Sequence, residues 1–140
     1  MAPSTDYWLL VLWKRLIGTR VLAVSAPPAD PNVRAYAFCG ARAPGTVALL
    51  FVHVGAAPTC VDAPGIADPT KPRTEFSLAP TDGTVESPGA ALNGGPPLAL
   101  GANGALPPLD GAEVPASLPI NLAPLSVTIV ELSADANACA

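Results

Sequence analysis

Residues 6–24, DYWLLVLWKRLIGTRVLAV, constrain the fold more than any other stretch of this chain, because an apolar helical run passes into a strand-type run with no loop between them. No residue from 7 to 12 is charged, so the first two turns offer water no polar face. A helix that is apolar on all sides belongs inside a larger body. The rest of the chain reads as β-strands and Pro/Gly loops, which leaves little for such a helix to pack into. The chain is therefore expected to be one end of a bigger protein. The ends of the run suit a helix: Ser4, Thr5 or Asp6 can cap its start, Lys14 and Arg15 complement the dipole at its end, and Gly18 is the expected stop. The uncharged core is far shorter than the ~20 residues that span a bilayer, so no transmembrane span is expected. The positive residues follow the apolar run and do not precede it, which argues against a signal peptide.

Composition supports a β-rich body after the helix. One domain is expected of 140 residues, and 18 Pro with 12 Gly call for many short elements joined by turns. Half of the chain is apolar, too much for a disordered segment. The net charge is −4, and Lys14 and Arg15 form the one basic cluster, so the surface that a nucleic acid needs is absent. Beyond Gly18 the period changes to two. Strands are expected over 19–25, over 33–39 with Val33, Ala35, Ala37 and Cys39 on one face, and over 46–54, whose apolar character, continuous apart from His53, marks a central strand covered on both sides. A long loop should follow over 55–72. Further strands are expected over 73–80 with Phe76 and Leu78 inward, around an Asn93-Gly94 turn within 90–100, and over 127–132. The proline-rich parts, 107–108 and 115–119, should lie at an edge or in a connection. Seven or eight short strands with these spacings predict an antiparallel two-sheet β-sandwich preceded by one apolar α-helix.

The residues also resemble a family, the heparanase-like proteins of glycoside hydrolase family 79, and its plant type more closely than its animal type. The resemblance rests on Asp6-Tyr7-Trp8, on Leu12-Trp13-Lys14-Arg15-Leu16, and on Gly18-Thr19-Arg20-Val21-Leu22. It continues through Arg34 to Cys39, Leu92-Asn93-Gly94 and Ala123-Pro124-Leu125-Ser126, and ends at Cys139. It implies that residues 1–18 are the last helix of a (β/α)8 catalytic barrel absent here and that 19–140 are the β-sandwich that follows it. Tyr7, Trp8, Leu12 and Trp13 are then the residues expected to pack on the barrel. The resemblance also implies a disulfide between Cys39 and Cys139, with Cys60 left as a free thiol. Such a bond needs an oxidising compartment, in line with a secreted, extracellular or cell-wall protein, with vacuolar or membrane-associated placement as further options.

The chemistry implied is retaining cleavage of β-glucuronide linkages by two glutamates about 5 to 5.5 Å apart, both carried by the barrel. The glutamates present here, Glu75, Glu86, Glu113 and Glu131, read as solvated surface carboxylates. The single histidine, His53, lies in the most apolar strand and reads as a buried or rim histidine with a backbone partner. It has no second ligand at metal spacing. Ser25, Ser87 and Ser126 lack a nucleophile-elbow context, and Gly94-Gly95 before two prolines is a turn. Trp8 and Trp13 suit core packing better than sugar stacking. No catalytic residue, metal or cofactor is expected in this chain. Two readings follow: a supporting sandwich of a glycosidase, which meets carbohydrate only through its barrel, and a free-standing, non-catalytic binding or interaction module.

Overall fold

The computed structural model describes residues 3–62, 68, 70–134 and 139. Part of the long loop expected over 55–72 lies outside them, as do residues 1 and 2. Helix α1 spans Thr5–Leu16, with Ser4 extended at its N-cap, Asp6 in its first turn, and Lys14 and Arg15 in its last. The expected capping side chains make no hydrogen bond. The Ser4 carbonyl instead accepts from the backbone N–H of Tyr7 at 3.1 Å. The helix ends where Ile17 turns extended, and β1 (Ile17–Leu22) follows at once. Gly18 does not stop the helix. It lies inside β1, where an added Cβ would come within 2.6 Å of the Cys39 carbonyl oxygen, so its hydrogen side chain permits a close backbone approach.

Nine strands are formed among the described residues, all paired antiparallel: β1, β2 (Val33–Gly40), β3 (Thr46–His53), β4 (Thr59–Val61), β5 (Arg73–Pro80), β6 (Ala90–Leu92), β7 (Ala112–Val114), β8 (Ile120–Leu122) and β9 (Val127–Ser133). The main sheet runs β1-β2-β3-β9-β5-β6, with β7 also on β5, and β4 pairs with β8 in a second, smaller sheet. Period-two patterning explains the layers. Alternate residues of β3 face opposite cores: Ala48 and Leu50 join Trp8, Leu12, Leu16, Phe76, Leu78 and Ile129, while Val47, Leu49 and Phe51 join Val33, Ile120, Leu122, Val130 and Leu132. Helix α1 thus covers one face of the main sheet and the β4-β8 pair covers the other. The mainly β fold, with one helix leading into two antiparallel sheets, agrees with the sequence.

Several boundaries differ. The expected strand over 19–25 begins at Ile17 and ends at Leu22. The long loop contains β4, which places Cys60 on a strand. The proline-rich stretch gives way to β7 and β8, each three residues long and closely bounded by prolines, too short for periodicity to reveal. Around the Asn93-Gly94 turn, both residues have positive φ, 50° and 70°, as a tight hairpin needs. Its second arm is a single bridge between Ala91 and Pro97. Asn93 instead ties the turn to β5: its Oδ1 accepts from Ser77 N–H at 2.8 Å and its Nδ2 donates to the Glu75 carbonyl at 3.0 Å.

Candidate functional site: the outer face of the first helix

A 12-residue helix with Trp8, Leu12 and Leu16 spaced four apart presents one apolar stripe to the sheet. That stripe is fully buried within this chain. The expectation that Trp8 and Leu12 await a barrel is corrected here, because β3, β5 and β9 supply Ala48, Leu50, Phe76, Leu78 and Ile129 to enclose them. Outside the stripe the sequence stays apolar, with Leu9 and Val11 half-buried against the core and the far side only partly covered. Tyr7 is 39% exposed, Leu10 61% and Trp13 37%, an i, i+3, i+6 series on the opposite side of the helix. Two edge contacts hold this outer row in place: Tyr7 against Trp8 at 5.1 Å and Trp13 against Phe38 of β2 at 5.3 Å between ring centroids. Asp6, Lys14 and Arg15 rim the row. An aromatic and aliphatic row with a charged rim is the form of a protein-docking surface.

Cys39 and Cys139 are joined in a disulfide, and Cys60 is free and exposed. The bond pins the C-terminal tail beside the β2–β3 turn, where Gly45 N–H donates to the Cys139 carbonyl at 2.8 Å. No helix among the described residues is long and apolar enough to cross a membrane.

No family model matches the chain. Individual relatives do. It is 32% identical to baicalin-beta-D-glucuronidase of Scutellaria baicalensis over 133 residues, covering 93% of this chain and 24% of that protein. It is 28% identical to heparanase-like protein 2 and to heparanase-like protein 1 of Arabidopsis thaliana, each match covering 98% of this chain and 31% of the relative. The chain spans about a quarter to a third of the length of these relatives, at their C-terminal part. It fits the C-terminal portion of a heparanase-like protein of glycoside hydrolase family 79.

Four glutamates lie among the described residues. Glu75 pairs with Arg73 at 2.6 Å. Glu131 is 7% exposed and pairs with Arg42, whose guanidinium also lies over the Phe76 ring at 5.7 Å. The expectation that all four are solvated is therefore corrected for these two, while Glu86 and Glu113 are exposed. Both corrections share a cause: the partner arginine is distant in sequence or itself buried by the fold. The register places Glu113 and Glu131 on either side of Thr74, two strand spacings or about 10 Å apart, and sets Glu75 on the other face of the sheet.

His53 behaves as its apolar strand suggests. It is buried, its Nδ1–H donates to the Ala123 carbonyl at 2.7 Å, and Gly55 covers Nε2 so closely that a Cβ there would sit 2.5 Å away. The most consequential residue that sequence reasoning missed is Arg73, 3% exposed. Its Nη1 donates to the carbonyls of Leu118 at 2.6 Å and Pro115 at 3.1 Å, and its Nη2 to that of Pro119 at 2.9 Å. One guanidinium thus satisfies the carbonyls of the proline-rich segment leading to β8. Its pairing with Glu75 is local, but its carbonyl acceptors lie more than forty residues away and leave no mark in the nearby sequence.

Proposed function

We propose that this chain is the supporting C-terminal sandwich of a heparanase-like glycosidase and that it docks on a catalytic barrel through the outer face of α1. The observation that carries this reading is the two-sided helix: Trp8, Leu12 and Leu16 hold the sandwich, whereas Tyr7, Leu10 and Trp13 stay partly exposed. Residues 1–18 then serve as the last helix of the barrel and 19–140 as the sandwich, with α1 packed between two bodies. The relatives are three to four times longer than this chain, which supports a large partner body of this kind. The barrel would carry both reacting glutamates, cleaving β-glucuronide linkages with retention and holding the reacting saccharide. A Cys39–Cys139 bond supports work in an oxidising place: secreted to the extracellular space or cell wall, or held in a vacuole or at a membrane.

Two measurements test the reading. The purified 140-residue chain should hydrolyse an aryl β-glucuronide no faster than buffer, and hydrolysis that copurifies with it would overturn the assignment of the chemistry to another body. The isolated chain should also bind a hydrophobic dye and self-associate, and Leu10→Lys with Trp13→Lys should relieve both without unfolding it. A parent chain that stays monomeric and dye-silent would remove the docking surface.

A further inference from the structure

Strand β1 stops short of its neighbour. Its last register pair joins Leu22 to Ala37, so residues 33–36 of β2 have no β1 partner, and the connecting segment 23–32 lies across that bare edge. Between segment and edge is an open cleft of about 330 Å³, in the range of small-molecule sites. Val24, Pro27 and Pro28 are among its apolar lining, and Tyr36, 48% exposed, lines it too. Asp30 and Arg34 bring one charge of each sign. Both are held before any ligand arrives. Asn32 N–H donates to Asp30 Oδ1 at 2.8 Å, and this bond keeps the carboxyl below the usual range and ionised. Arg34 Nη1 donates to the carbonyls of Pro31 at 2.7 Å and Val33 at 3.2 Å, which leaves Nε and Nη2 without a partner among the described residues. Prolines alone would guard a bare strand edge. A half-exposed aromatic ring beside an anchored acceptor and an anchored donor goes beyond what guarding requires.

We propose that this cleft is a non-catalytic saccharide subsite, in which one sugar unit lays its C–H face on Tyr36 and shares its hydroxyls between Asp30 and Arg34. A sugar hydroxyl both donates and accepts, so it can meet either a carboxylate or a guanidinium lining the same cleft. Because the lining carries one charge of each sign, a uronate gains little over a neutral hexose, and salt has little effect. This subsite lies outside the docking surface of α1 and stands or falls separately from it.

The test is an amide-shift titration of the intact chain with methyl β-glucoside and, separately, sodium glucuronate. Both sugars should move the amides of residues 24–36 with dissociation constants on the order of 1 to 10 mM, as expected for so small a ligand on an open site. The two constants should agree within about threefold. Tyr36→Ala should weaken binding at least about tenfold and Arg34→Gln several-fold, with circular dichroism and melting temperature close to those of the parent. If Tyr36→Ala unfolds, Arg34→Gln alone decides. Silence toward both sugars overturns the proposal, as do shifts confined to other residues, shifts unchanged in Arg34→Gln, or a response to a polyproline peptide and to neither sugar.

Discussion

Two residues show how strongly single side chains can anchor this fold. Arg73 is buried with all three of its nitrogens engaged, one on Glu75 and the others on carbonyls of the segment that feeds β8. Removing it leaves Glu75 and several carbonyls unpaired in a desolvated place. Arg73→Met should therefore destabilise the chain by about 3 kcal/mol in urea unfolding. Arg73→Lys should recover less than half of that loss, since a point-like ammonium cannot reproduce the fork. A Met variant as stable as the parent would show that these bonds contribute nothing net. Gly111 makes a steric counterpart. A Cβ there would fall 2.3 Å from Thr74 Cγ2 and 2.7 Å from Phe76 Cζ, so Gly111→Ala should cost about 1 to 3 kcal/mol through overpacking, read as a lowered melting temperature.

At the scale of elements, α1 divides its apolar residues between two destinations. Trp8 has its whole surface inside the chain, so Trp8→Ala should cost about 3 to 5 kcal/mol even in the isolated protein. Leu10→Lys should change stability by less than about 0.5 kcal/mol while reducing self-association. Equal losses at both positions in denaturant titrations would mean that the helix has no outer face. Strand β3 was legible because the unbroken apolar run from Val47 to Val52 can only be accommodated by cover on both sides. The division of α1 was not: its sequence shows that every side is apolar, and only the sheet's curvature and reach decide which side is enclosed. The short strands β4, β7 and β8 were equally hidden, since three residues hold too little of a period to read.

Across the whole molecule the Cys39–Cys139 bond closes a span of 100 residues. In the chain-entropy model a loop of that size restrains the unfolded state by about 4.7 kcal/mol, and reduction should lower stability by up to that amount. Thiol titration should find one reactive group, Cys60, in the native oxidised protein; three would remove the bond. Of the exposed row on α1 the sequence singled out Tyr7 and Trp13 but not Leu10, and it gave no sign of the cleft beside β2, which arises where one strand ends earlier than its neighbour. What the amino-acid order determined by itself was local: a helix running directly into a strand, a buried central strand, turns at glycine and asparagine, and the class these imply. Tertiary structure alone decided which side of the helix stays bare, which carbonyls Arg73 would meet and where Glu131 would be enclosed. Periodicity acts between near neighbours along the chain, whereas burial and ion pairing depend on segments that meet only after the sheets have closed.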